Sequence, residues 1–143
     1  MTIYTIGYEG ATQAEVLAAL EHAGVRRVID VRQLPLSRRP GFSKSSLAAS
    51  LREHGIDYVH LRALGTPKLG RDAAKKGDRV TLEAVYAGQL ELPEAQVAAA
   101  QMRALAAEMP SALLCYERDP CVCHRTLLLA AEGEGAEVVD LMV

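Results

Sequence analysis

The sequence predicts a single α/β domain over residues 1–143, built as a three-layer sandwich around a mostly parallel five-stranded sheet. Three observations support this fold class. Short β-forming runs alternate with amphipathic helical segments along the chain. A helical segment is followed by a glycine and then a strand three times, at Gly24, Gly55 and Gly133. The chain has 143 residues, 50% of them hydrophobic, which is enough for one core and too few for a second domain.

The first half of the chain predicts three strands and two helices. Thr12 and Glu15, three positions apart, form a capping box that opens the first helix. Ser43 is predicted to cap the second helix. Gly24 and Gly55 tolerate the left-handed conformation that ends a helix. The predicted strands are residues 2–6, 25–31 and 56–60.

The second half of the chain begins with a segment of different composition. Residues 62–79 are rich in Gly, Lys, Arg and Asp, which predicts a long exposed loop, either a lid over a site or a plain connection. Beyond it, Pro93 is typical of the start of a helix. The other predicted elements are helices over residues 82–86, 94–107 and 126–132, a buried central strand over residues 112–116, and a last strand over residues 136–139.

The charge of the chain is small in total and unevenly distributed. A formal net charge of −2 excludes a globally basic nucleic-acid binder. Residues 26–79, however, contain thirteen of the sixteen Lys and Arg residues and only five acids, a net charge of +8 against −10 for the rest. This asymmetry favours either an anionic ligand at one surface or a solvated basic stretch with no ligand.

Several classes of protein are excluded by what the sequence lacks. No apolar run approaches the roughly 18 residues needed to cross a bilayer, and the chain starts without a signal-peptide pattern, so we expect a cytoplasmic protein with no membrane partner. Three cysteines in such a chain favour reduced thiols over a disulfide framework. Neither a dinucleotide-binding glycine fingerprint nor a Walker loop occurs, so NAD and ATP are not indicated and no cofactor is predicted.

The candidate site lies after the predicted strands, because ligands of open parallel sheets bind beyond the carboxyl ends of the strands. The polar residues of the chain cluster at these positions. They are Gly7 and Tyr8 after the first strand, Asp30, Arg32, Ser37 and Arg38 after the second, and a dense group from Cys115 to Arg125 after the fourth.

The dense group places His124 and Arg125 in the first turn of a predicted helix. A cation is unfavourable at the positively charged start of a helix unless an anion sits in front of it, so Arg125 is a candidate anion contact. The alternative is a salt bridge from Arg125 to Glu117 or Asp119. His124 either relays a proton or caps the helix end.

Cys123 and Glu117 are the candidate catalytic residues. Cys123 precedes the same helix, where the helix field and Arg125 favour the nucleophilic thiolate, although a small buried cysteine is the plainer interpretation. Glu117 follows the central strand and is a candidate general acid or base, with a salt bridge to arginine as the alternative. Cys115 lies inside the apolar run and is assigned to packing, and Cys121 is given no role.

No metal site is predicted from the cysteines and His124. Paired Cys-x-x-Cys knuckles are absent from the sequence. Adjacent residues at a helix start, such as Cys123 and His124, are expected to point in different directions.

At these residues the sequence resembles a bacterial and archaeal family known as domain of unknown function 488. The matching segments are residues 5–10, 30–32 with Pro35, 37–38, 41–43, 55–58, 64–65, 114–117 and 123–125. The resemblance implies an α/β domain whose shared polar residues gather around the strand ends, with no established general reaction. Carried onto this chain, it singles out Cys115, Glu117 and Cys123 and, as the predicted anion- or substrate-binding surface, Gly7, Tyr8, Asp30, Arg32, Ser37, Arg38, His124 and Arg125.

Together these residues predict an enzyme acting on a phosphate-bearing or otherwise anionic substrate, such as a nucleotide or nucleic-acid component. In this hypothesis Arg32, Arg38 and Arg125 bind the anion and Glu117 transfers a proton. Cys123 is either the nucleophile or a polar residue that lines the site. Two alternatives stay open. One is a non-catalytic module that binds nucleic acid or a partner through the basic segment. The other is a thiol redox or metal-binding module built on Cys115 and Cys123. The sequence does not predict an oligomeric state.

Overall fold

The computed structural model describes residues 1–120 and 123–143. The strands are β1 (Thr2–Gly7), β2 (Arg27–Asp30), β3 (Asp57–His60), β4 (Ser111–Cys115) and β5 (Glu137–Leu141). The helices are α1 (Gln13–His22), α2 (Lys44–Glu53), α3 (Lys68–Lys75), α4 (Arg79–Leu90), α5 (Pro93–Glu108) and α6 (His124–Glu132), with a short 3-10 helix over Arg62–Leu64. The part of the chain that the structure describes holds no helix long and apolar enough to cross a membrane.

The five strands form one parallel sheet in the order β3-β2-β4-β1-β5. All five residues of β4 are buried, as the continuous apolar run predicts for a central strand. Alternate side chains of a strand point to opposite faces, so Val28 packs with the α1 and α2 residues Leu20 and Leu51, whereas Ile29 packs with Met102 of α5 on the other face. The predicted three-layer α/β fold is confirmed.

Of the two helix caps that the sequence predicts in this part of the chain, one forms and one does not. The predicted capping box is confirmed: Thr12 Oγ1 accepts the Glu15 backbone N–H, and the Glu15 carboxylate accepts the Thr12 N–H. Ser43 is the residue before α2, but its side chain does not cap the helix. The Ser43 hydroxyl instead accepts the Ser37 backbone N–H at 3.1 Å and donates to the Ser37 carbonyl at 3.2 Å. It therefore fixes the segment that follows β2.

The prediction of a long exposed loop over residues 62–79 is wrong. This segment contains the 3-10 helix and α3, and α4 begins at Arg79. The buried face of α3 consists of the small residues Gly70 and Ala73, so the segment lacks the large apolar side chains that mark an amphipathic helix in a sequence. A Cβ at Gly70 would overlap the side chain of Thr66, which shows how closely α3 packs. Helix α3, and not a loop, therefore lies beside the carboxyl ends of the strands.

Candidate functional site

A cleft of about 660 Å³ opens at the carboxyl ends of β1, β2 and β4. This is the edge where open parallel sheets bind their ligands. The volume is in the range of small-molecule sites. Its lining comes from Tyr8 and Glu9 after β1, Arg32, Gln33, Leu34, Leu36 and Ser37 after β2, Thr66, Arg71, Ala74 and Lys75 at and before α3, Cys115, Tyr116 and Glu117 from the end of β4, and His124 from α6.

Arg32 lines the cleft, but its charge is paired with a buried carboxylate. Its guanidinium donates to both oxygens of Asp30, with the shortest contact 2.7 Å, and to the Tyr8 hydroxyl and the Phe42 carbonyl at 3.0 and 2.7 Å. Asp30 also accepts the Tyr58 hydroxyl at 2.5 Å. Burial alone would lower the pKa of Arg32, but the hydrogen bonds and charge of Asp30 raise it above its ordinary value. Arg32 is therefore a fixed cation that holds the Tyr8 side chain in place.

Cys115, Cys123 and His124 form a buried cluster at the inner end of the cleft. Their sulfur and nitrogen ligand atoms all lie within 4.8 Å of one another. The sulfur atoms of Cys115 and Cys123 are in direct contact, close enough for a disulfide, which the sequence analysis did not expect. The Cα atoms of the pair stand 7.8 Å apart, whereas disulfides usually span about 4.4–6.8 Å.

The expectation that Cys123 and His124 point in different directions is wrong. Cys123 Sγ and His124 Nδ1 are 3.6 Å apart. Cys123 is the residue before α6 and has extended backbone angles, φ −118° and ψ 151°. Its side chain therefore turns back over the first turn of the helix, and the helical spacing rule does not apply to it.

The ring of His124 is held in one orientation and one tautomer. Its Nε2 lies 2.9 Å from the Val31 carbonyl oxygen, which can only accept, so Nε2 carries the proton and the Nδ1 lone pair faces Cys123. Tyr86 packs edge-on against the ring at 5.1 Å between centroids, and its hydroxyl donates to the Leu64 carbonyl at 2.7 Å. Burial lowers the pKa of His124 to about 4, which keeps the imidazole neutral at neutral pH.

Arg125 supports the cluster from behind and does not line the cleft. The prediction that it lies in the first turn of a helix is confirmed, and its side chain is only 1% exposed. Its Nε and backbone N–H donate to Cys123 Sγ at 3.3 and 3.5 Å, and its second terminal nitrogen donates to the Glu117 carbonyl at 2.5 Å. Burial lowers the pKa of Arg125 to about 10. The guanidinium therefore stays charged at neutral pH, and in the reduced chain it favours the thiolate form of Cys123.

Glu117 places a carboxyl group in the cleft next to the cluster. Its Oε2 lies 3.2 Å from Cys115 Sγ, where it can accept the thiol proton of Cys115 in the reduced chain. Burial raises the pKa of Glu117 above its ordinary value, and the charges of Arg125 and Lys75 oppose that rise. The carboxyl group is thus held near the two cysteine sulfur atoms and close to the charges of Arg125 and Lys75.

Gly7 ends β1 at a close approach to the Glu117 main chain. A Cβ at this position would overlap the Glu117 carbonyl oxygen, the same oxygen that accepts from Arg125. The contact continues past the strand, where the Glu9 backbone N–H donates to the Tyr116 carbonyl at 2.8 Å. Only glycine allows β1 to lie this close to the segment that carries Glu117.

The structure brings together most of the site residues predicted from the sequence. Five of them line the cleft: Tyr8, Arg32, Ser37, Glu117 and His124. Four more contact residues of that lining from behind: Gly7, Asp30, Cys123 and Arg125. Arg38 is exposed and is not among the lining residues, and Cys121 lies outside the described residues.

Arg71 and Lys75 were not among the site residues predicted from the sequence, which favoured packing over a chemical role for Cys115. The two cations follow one another at a spacing of four residues, which places them on one face of a helix. That spacing was a usable signal, but it has meaning only once the segment is recognised as helical.

A family model described as domain of unknown function DUF488 matches residues 12–131 of the chain. The matched range holds the cleft lining from β2, α3, β4 and α6, and leaves out only Tyr8 and Glu9 after β1. No curated protein and no solved structure matches the chain.

Proposed function

The chain belongs to the DUF488 family, and from that premise we propose that it is an enzyme acting on a phosphate-bearing or otherwise anionic substrate bound in the cleft. One observation carries the proposal: two cations of α3, Arg71 and Lys75, line the same cleft as the half-buried carboxyl group of Glu117. Cations hold an anionic substrate, and a carboxyl group beside it transfers a proton.

Arg71 and Lys75 supply the positive charge that a substrate meets. The charge of Arg32 is already paired with Asp30. Arg71 donates to the side chain of Gln33 and, at 2.9 Å, to the Thr66 carbonyl, so it is positioned before a ligand arrives. A hydrogen bond to a charged group contributes about 1.5–3 kcal/mol, and prior positioning reduces the entropy lost on binding.

Glu117 is the group best placed to give or take a proton. Glu117 is half-buried, and its main chain is fixed by contacts with Gly7 and Arg125. A positioned general acid or base contributes about 10²–10⁴-fold to a reaction rate. The proposal rests on this placement inside the cleft.

The basic segment gives less support to the alternative of a nucleic-acid-binding surface. Several of its cations are paired within the chain, which reduces the charge available to a phosphate backbone. These pairs are Arg27 with Asp57, Arg32 with Asp30, Lys68 with Asp72, and Arg79 with Glu83. The cations that line the cleft are therefore the favoured anion site.

Replacing Lys75 with alanine is expected to weaken binding of inorganic phosphate and nucleoside monophosphates about tenfold, the effect of losing one charge-assisted contact. Titration calorimetry at low salt measures it. Lys76→Ala is the matched control, because Lys76 neighbours Lys75 but does not line the cleft, and it is expected to bind like the wild type. Unchanged binding in both Lys75→Ala and Arg71→Ala would contradict the proposed anion site.

Replacing Glu117 with glutamine is expected to lower turnover by about 10²-fold or more while leaving phosphate binding near the wild-type value. The assay follows products by chromatography on a panel of nucleotides and phosphate esters, using each compound that the wild type converts. Glu9→Gln is the control, because Glu9 lines the cleft through a different strand. Equal turnover of Glu117→Gln and wild type would rule out proton transfer by this residue.

A further inference from the structure

We propose that Cys115, Cys123 and His124 bind a divalent cation with affinity for sulfur, such as zinc, at the inner end of the cleft. The three side chains are buried, and their ligand atoms all lie within 4.8 Å of one another. Zinc bonds of about 2.3 Å to sulfur and 2.0–2.1 Å to nitrogen, at tetrahedral angles, separate ligand atoms by about 3.5–3.8 Å. The cluster has the donor set of a zinc site, and the 3.6 Å from Cys123 Sγ to His124 Nδ1 matches zinc spacing. The two sulfur atoms, in direct contact here, would separate to hold an ion.

The backbone spacing of the two cysteines suits an ion better than a direct bond. Their Cα atoms are 7.8 Å apart, beyond the span of about 4.4–6.8 Å that disulfides usually bridge. The extra distance leaves room for the two sulfur atoms to separate around a cation. In the reduced chain the pair thus presents two thiolate ligands to the same point.

His124 is oriented as metal-bound histidines are. A ligating histidine characteristically donates its second ring N–H to a carbonyl or carboxylate, which fixes the ring and leaves the other nitrogen for the metal. Here Nε2 donates to the Val31 carbonyl at 2.9 Å, and Nδ1 faces Cys123 Sγ at 3.6 Å. His124 can therefore bind an ion through Nδ1 in the tautomer that it already has.

The surroundings of the cluster stabilise a charged ligand and leave one side open. Arg125 donates two N–H groups to Cys123 Sγ, which favours its thiolate form. Cys115 and His124 line the cleft, and Glu117 Oε2 lies 3.2 Å from Cys115 Sγ. Three protein ligands with a fourth position open to a cleft are the pattern of catalytic zinc sites. An ion there would polarise a bound water or a substrate oxygen next to Glu117.

The first test is titration of reduced, metal-free protein with Co²⁺ and Zn²⁺ in a buffer without phosphate. We expect one equivalent to bind, with sulfur-to-cobalt charge-transfer absorption and the intense visible bands of tetrahedral cobalt. Cys115→Ser, Cys123→Ser and His124→Gln are each expected to lose these bands. The matched controls are Cys121→Ser and His54→Gln, an exposed histidine, and both are expected to keep them. Loss in Cys121→Ser with retention in Cys115→Ser would overturn the ligand assignment.

The second test uses the wild-type chain alone, so that a variant's failure to fold cannot decide the result. Zinc is expected to protect Cys115 and Cys123 from alkylation, read at each site by mass spectrometry, and a chelator is expected to restore their reactivity. No stoichiometric binding to the reduced chain would overturn the proposal. A Cys115–Cys123 disulfide that persists under reductant would overturn it too. Lys75 is not among the three proposed ligands, so we expect Lys75→Ala to bind the metal like the wild type. This variant therefore separates failure of the metal site from failure of the anion site.

Discussion

Replacing Asp30 with alanine is expected to lower the free energy of unfolding by about 3–5 kcal/mol, the usual cost of removing one member of a buried ion pair. Asp30 is fully buried and Arg32 is 6% exposed. The substitution leaves the Arg32 guanidinium buried without its carboxylate, and Tyr58 loses the acceptor of its hydroxyl. Because natural domains are stable by only about 5–15 kcal/mol, this loss is a large fraction of the total. Urea unfolding followed by circular dichroism measures it.

The same chain contains a second ion pair whose carboxylate, unlike that of Asp30, is about half exposed. Arg27 Nε lies 2.8 Å from Asp57, but the Asp57 side chain is 48% exposed, and Arg27 keeps Glu108 as a second partner. Asp57→Ala is therefore expected to cost about 0–1 kcal/mol. If Asp30→Ala were no more destabilising than Asp57→Ala, the buried pair of Asp30 and Arg32 would contribute no more to stability than the more exposed pair.

The fold was predictable because its signals are local. The capping box at Thr12, the glycine after each of three helices and the apolar run of β4 each depend on a few neighbouring residues. The alternation of strands and helices then leaves a parallel sheet as the natural arrangement. The missed helix α3 buries Gly70 and Ala73, and small residues give no apolar periodicity to recognise.

The candidate site was predictable in position but not in detail. Parallel topology alone brings the residues after β1, β2 and β4 to one edge, and the cleft lies there. The contact between Cys123 and His124 depends instead on the extended backbone of Cys123, which residue spacing does not specify. Burial of Cys115 was also predictable, but an apolar run does not reveal which buried side chain borders a cleft.

Replacing Gly7 with alanine is expected both to destabilise the protein and to distort the cleft, because one close contact underlies both effects. Forcing extra volume into a packed interior usually costs about 1–3 kcal/mol, and more where backbone must move. Here the added methyl group would overlap the Glu117 carbonyl oxygen, so the obstacle is main chain. Gly7 is paired with Cys115 in the sheet, and the Glu117 carbonyl accepts from Arg125. A shift of this segment therefore moves Cys115, Glu117 and Arg125 relative to one another.

The control for Gly7→Ala is Gly88→Ala. Gly88 lies within α4 with nothing within 4 Å of an added Cβ, so alanine is expected to stabilise the helix by up to about 1 kcal/mol. Thermal unfolding and phosphate calorimetry on both variants separate the two effects. Weakened phosphate binding in Gly7→Ala at a temperature where it is still folded would show that the close approach of β1 positions the cleft. A Gly7→Ala protein with wild-type stability and wild-type phosphate affinity would mean that the segment carrying Glu117 adjusts freely, and that its rigidity contributes nothing to the site.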